Sequence, residues 1–121
     1  SDEDLRWLYG EGREDAAAQR MLTSGVKLVA VTLGSQGVRG YQRDGVVDVQ
    51  ARKAEVADTV GAGDTFNAGL LAALYEGGEL TKKALAELPT ERLGQALDMG
   101  ARAAAVTVSR SGANPPWRNE I

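Results

Sequence analysis

The stretch Asp58-Thr59-Val60-Gly61-Ala62-Gly63-Asp64-Thr65-Phe66-Asn67-Ala68-Gly69 constrains this chain more than any other. Gly61, Ala62 and Gly63 leave almost no side-chain bulk, so the backbone there can turn tightly and a ligand can approach it. An apolar run follows, in which Phe66, Leu70, Leu71, Ala73 and Leu74 fall at helical spacing. The pattern predicts a loop feeding the N-terminus of a buried helix over Phe66 to Leu74. First-turn N–H groups lack partners within a helix, and the helix dipole adds partial positive charge. A phosphate or a developing oxyanion suits such a place. Asp64 stands at its edge, where its carboxylate can take a proton from a hydroxyl. Packing alone also explains a Gly-rich entry to a helix, and an acid in a first turn also serves just to complement the dipole. Other phosphate motifs are excluded: no Gly-Lys-Ser/Thr occurs, and Phe66 stands where a dinucleotide fingerprint needs Gly.

The chain ahead of this stretch reads as an α/β unit. Ser1 followed by Asp2, Glu3 and Asp4 is a helix-cap signal, and Leu5 and Leu8 give a short apolar face. Arg13 to Thr23 reads as a helix ended by Gly25. Lys27 to Leu33 is a near-continuous apolar run, the mark of a strand covered on both faces and usual in parallel sheets. Val38–Tyr41 and Val46–Val49 flank Gln42-Arg43-Asp44-Gly45, and Asp-Gly between two such segments signals a hairpin. The turn Thr32-Leu33-Gly34-x-x-Gly37 ends the buried strand, and open α/β sheets bind ligands at that end. An ordinary strand-end turn is the plainer reading. Beyond the central helix, Thr81–Leu88 reads as a short helix stopped before Pro89. Thr90 is the expected cap of a last helix over Glu91 to about Val106.

With 121 residues, one modest domain is expected. The net charge of −3, with no basic stripe, argues against a nucleic-acid partner. Neither Cys nor His is present, which removes disulfides, thiolate metal sites and the commonest general base. Proton transfer falls to Asp, Glu, Lys or Tyr. No apolar run approaches membrane-spanning length, so a soluble cytoplasmic protein with no membrane partner is the expectation.

Asp58-Thr59-x-Gly61-Ala62-Gly63-Asp64 resembles the second signature of the ribokinase-like (PfkB) carbohydrate kinases, and the resemblance extends from Ser1 to Ile121. It implies a three-layer α/β/α, Rossmann-like fold, present here as its C-terminal portion. It implies that Gly61, Ala62 and Gly63 supply anion-hole amides and that Asp64 is the base that deprotonates the sugar hydroxyl attacking ATP. It places Thr32, Gly34 and Gly37 beside the nucleotide phosphates, and Gly112, Ala113 and Asn114 at the adenine pocket. Backbone oxygens of Asp58, Val60, Thr107 and Gly112 would hold a monovalent cation such as K⁺. ATP with Mg²⁺ is the implied cofactor pair. The Asn114-Pro115-Pro116-Trp117 tail most resembles bacterial fructokinases, so fructose is the expected sugar. Ribose, 2-keto-3-deoxygluconate and a nucleoside are alternatives within the family, and a non-catalytic nucleotide-binding module is one outside it. The resemblance also implies that the family's N-terminal half is the missing partner. The chain alone is then expected to be inactive and to expose a sheet edge that favours homo-oligomers.

Overall fold

The computed structural model describes all residues from 1 to 121. Helix α1 (Asp2–Tyr9) opens with a capping box, in which the Ser1 hydroxyl accepts from the Asp4 amide. Helix α2 (Glu14–Thr23) leads to strand β1 (Val29–Thr32), and a 3₁₀ turn (Gly34–Gln36) leads on to β2 (Val38–Gln42) and β3 (Gly45–Val49). Helix α3 (Ala62–Glu76), the short α4 (Lys82–Ala86) and the long α5 (Thr90–Val108) follow, and a second 3₁₀ turn spans Arg118–Glu120.

The sheet order is β1-β2-β3, with Val29 opposite Tyr41 and Val38 opposite Val49. Side chains alternate between two cores, as pleating requires. Val29, Val31 and Tyr41 join Leu5, Ala17 and Ala18 on the α1/α2 side. Val38 joins Phe66, Leu70, Leu74, Leu93 and Leu97 on the α3/α5 side, and Ala30, Val47 and Val49 pack against them. Three layers result, and β1 is covered on both faces as its composition predicts. The apolar run does not mark a parallel pair within this chain, because both pairings are antiparallel. Only Leu33 to Gly37 separates β1 from β2. A parallel return needs a crossover of about a dozen residues.

Local details depart from the sequence pattern in a few places. Gln42 pairs with Gly45, so the hairpin turns on Arg43-Asp44 and Gly45 already belongs to β3. No non-Gly residue has positive φ, so the Asp-Gly dipeptide does not form the turn's centre. Thr90 is the first residue of α5 rather than its cap; Pro89 takes that place and no side chain caps it. Helix α4 ends at Ala86, short of Leu88. Helix α3 starts at Ala62, four residues before the apolar run, so Gly63 and Asp64 lie inside its first turn.

Helices α3 and α5 run antiparallel at very close range. A Cβ on Gly69 would lie 2.9 Å from the Gly100 Cα, 3.0 Å from the Met99 carbonyl and 3.1 Å from the Ala103 Cβ. Two of these three obstacles are backbone and cannot swing aside. Gly69→Ala should therefore destabilise the protein despite the better helix propensity of Ala. The gain of about 0.5–1 kcal/mol is smaller than an overpacking cost of about 1–3 kcal/mol. A lowered urea midpoint at unchanged m-value is the expected result; a raised midpoint would show that the helices separate freely.

Candidate active site

Gly61 precedes α3 with φ of 79°, the left-handed conformation that an L side chain adopts only with strain. That turn sets the start of α3 on the wall of a cleft of about 360 Å³. The cleft is lined by Thr32 from β1, by Thr59, Gly61, Ala62, Gly63, Asp64 and Asn67 from the α3 entry, and by Ser1 and Asp4 from α1. The Ala62 amide closes a turn onto the Thr59 carbonyl at 3.2 Å, and the Thr65 amide donates to the Gly61 carbonyl at 2.9 Å. The amides of Gly61, Gly63 and Asp64 have no acceptor within the protein. A Cβ on Gly63 would meet nothing within 4 Å, so the main chain is open on that side. Free donors, a helix N-terminus and a carboxylate thus share one concavity, which can receive an anion beside a proton acceptor.

The loop is fixed from behind by Asp58. Its Oδ1 accepts from the Val60 amide at 3.0 Å, and its Oδ2 from the Gly112 amide at 3.0 Å. The amides of Ala57 and Asp58 both donate to the Val108 carbonyl. These bonds lay residues 58–60 against residues 107–112 and so bring together the segments carrying the Asp58, Val60, Thr107 and Gly112 carbonyls. The Thr107 carbonyl accepts from the Arg110 amide and the Gly112 carbonyl from the Asn114 amide. Each keeps a second lone pair free. Ala113 packs on the same loop, 3.1 Å from where a Gly61 Cβ would stand.

The remaining residues named from sequence lie away from this cleft. Gly34 opens the 3₁₀ turn, with empty space where a side chain would be. Gly37 (φ 108°) is held for a structural reason: a Cβ there would clash with the Val49 carbonyl and stand 2.7 Å from the Ala51 amide. Gly112 and Asn114 reach the cleft only through Asp58 and Ala113. In the other direction, Asp4 and Asn67 are cleft residues that the sequence pattern leaves unmarked. Asp4 reads as a capping residue, and nothing local shows that α1 lies across from α3. Asn67 could have been found by helical periodicity, since it falls one turn after Asp64 on the same face.

A larger hollow, about 470 Å³, lies between Arg52, Asp98, Arg102 and Glu120. Its acids are already committed, Asp98 to Arg52 and Glu120 to Arg110. No helix N-terminus opens into it, so the smaller cleft is the better candidate site.

The pfkB family carbohydrate kinase model matches residues 1–120. The chain belongs to this family. It is 47% identical over 93 residues to a fructokinase of Rhizobium leguminosarum bv. trifolii, covering 77% of this chain and 28% of that protein. It superposes on the crystal structure of a Thermotoga maritima ribokinase with a TM-score of 0.75 at 31% identity, over 98% of this chain and 37% of that one. It also superposes on a Vibrio cholerae O395 fructokinase solved with fructose, ADP and calcium, with a TM-score of 0.73 at 25% identity, over 93% and 34% of the two chains. The chain thus spans about a third of the length of these relatives. The three-layer ribokinase-like fold expected from the sequence is the one observed. No helix is long and apolar enough to cross a membrane.

The amide bonds from Val60, Gly112 and Thr59 hold the Asp58 carboxyl below its ordinary value of 3.8. A depressed carboxyl stabilises the fold above its unfolded pKa and loses that contribution as pH falls through the folded value. The loop clasp should therefore be intact at neutral pH and open only in acid below about pH 3.9. The Gly112 amide resonance should report this titration with a midpoint below that value, and Asp58→Ala should abolish it. A flat Gly112 resonance, or a midpoint at or above about 3.9, would remove Asp58 from this role.

Proposed function

We propose that this chain forms the phosphate-binding and proton-accepting part of an ATP-dependent sugar kinase, with fructose as the sugar. The observation that carries the reading is the shared cleft, in which Asp64 stands on the same helix turn as the open Gly61–Gly63 main chain. The similarity to the Rhizobium fructokinase favours fructose over ribose, 2-keto-3-deoxygluconate or a nucleoside. The remaining two thirds of such a kinase would supply most sugar contacts and would pair the outer edge of β1.

In this mechanism Asp64 accepts the proton of the sugar hydroxyl as its oxygen bonds to the γ-phosphorus of ATP. The bond from that phosphorus to the β-phosphate oxygen breaks, and ADP leaves. Charge on the transferred group faces the amides of Gly61, Ala62 and Gly63. Those of Gly61 and Gly63 are free at once, and that of Ala62 becomes free by leaving Thr59. Phosphoryl transfer needs this kind of positioning and charge stabilisation more than covalent chemistry. The base and phosphate end of the nucleotide would lie between the Thr32–Gly37 turn and the Gly112–Asn114 loop.

No three acidic side chains cluster, so a divalent cation has no protein cage of its own. Mg²⁺ commonly needs just one or two carboxylates besides substrate phosphates, and Asp4 on the cleft, whose Oδ1 makes no bond, would supply one while Asp64 stays free as the base. Bound there with ATP, it would neutralise phosphate charge. The carbonyls of Asp58, Val60, Thr107 and Gly112 form an oxygen-only set of the kind a hard monovalent cation such as K⁺ accepts.

In the complete enzyme, Asp64→Asn should lower kcat by about 10²–10⁴-fold while the KM for ATP changes less than about threefold. Coupled assays over fructose, ribose and a nucleoside would measure both the effect and the preferred sugar. Turnover of the variant within about threefold of wild type would refute the base assignment.

A further inference from the structure

Thr65 and Thr107 are buried in the interface between α3 and α5, where the other buried side chains are apolar. Their hydroxyls lie 3.0 Å apart, and Thr107 Oγ1 is 3.3 Å from the Ala103 carbonyl. A hydroxyl has one proton, and the carbonyl can only accept. Both contacts are met when Thr65 donates to Thr107 and Thr107 donates to Ala103. A buried hydroxyl costs free energy unless bonded, and Val would fill the same volume without that cost. The pair therefore calls for a reason beyond packing.

We infer that the Thr65–Thr107 hydroxyl pair is the positioning element that sets Asp64 and the neighbouring amides, and this rests on the reading of Asp64 as the base. Thr65 directly follows Asp64 and faces inward from the same helical turn, while Asp64 faces the cleft. Apolar contacts between two helices are non-directional and tolerate small slides and rotations. A hydrogen bond fixes distance and angle. The last turn of α5 holds the anion loop at both ends. The Val108 carbonyl takes the amides of Ala57 and Asp58 before the loop, and the Thr107 hydroxyl takes Thr65 after it. The segment between, residues 58 to 65, contains Asp64 and the three free amides. Neither threonine lines the cleft, so both act through their neighbours.

The test uses the complete kinase with Thr107→Val, Thr107→Ser, the double variant Thr65→Val/Thr107→Val, and Asp64→Asn. Since an ångström of misplacement can cost about 100-fold, a looser helix end should lower kcat about tenfold in Thr107→Val, with both KM values within about twofold. Hydrogen exchange at the Thr65 amide, which is bonded to the Gly61 carbonyl, should rise. Thr107→Ser, which keeps the hydroxyl, should recover at least about half of kcat. In the double variant no hydroxyl is left unpaired, so the urea midpoint should return toward wild type while kcat stays low. Recovery of kcat together with the midpoint, or unchanged exchange at the Thr65 amide, would overturn the inference. Full turnover by Asp64→Asn would instead overturn the base reading, and the exchange measurement would still decide whether the pair sets the helix end.

Discussion

The structure depends on the backbone contact between α3 and α5. Gly69 and Gly100 let the two helices meet without side chains between them, and a Cβ on Gly100 would in turn strike the Phe66 ring and carbonyl. Closeness at the midpoint propagates to both ends of an antiparallel pair. At one end Arg92 donates to the Ala73 carbonyl and pairs with Glu79. At the other, the start of α3 lies beside the end of α5, where Thr65 meets Thr107. Gly40 repeats the device between sheet and helix, since a Cβ there would lie 2.6 Å from a Leu97 methyl. The cleft exists because small residues allow three close approaches in succession: strand to helix, helix to helix, and loop to loop.

The site is made mostly of main chain, and this explains how it is held. Amides have no rotamers, so their direction is set by the path of residues 58–65, which the Asp58 clasp and the last turn of α5 fix at both ends. The two carboxylates on the cleft, Asp64 and Asp4, come from the first turns of two different helices. Placing two acids near helix N-termini is electrostatically favourable in each helix separately. It also leaves the cleft with acidic walls and an amide floor, a division suited to a phosphate that arrives with a cation.

The opposite face of the sheet keeps the α1/α2 layer in register. Arg39 makes two bonds to Asp48 on the neighbouring strand, and the Tyr41 hydroxyl donates to Asp15 of α2. Burial, with the Asp15 contact, pushes the Tyr41 hydroxyl up to about 12. This polar seam orients α2, while Leu5, Ala17 and Ala18 supply the apolar contact that carries α1 along with it. Asp4 reaches the cleft through that chain of contacts.

By itself the sequence determined the order and type of the main elements, the buried character of β1, the hairpin and the motif at the head of α3. These follow from local periodicity, turn chemistry and small residues, all of which act over a few positions. The same local rules do not reach what neighbours decide: the antiparallel pairing of β1 with β2, the centring of the hairpin turn on Arg43-Asp44, and the close packing of Gly37 on the end of β3. Tertiary structure alone decided that Asp4 faces the cleft, that Asp58 reaches 54 residues onward to Gly112, and that Thr65 finds Thr107. Each of these joins residues far apart in the chain through a single directional bond or a shared wall. Hydrophobic pattern carries no record of such partners, because it fixes which face is buried and not what that face will meet.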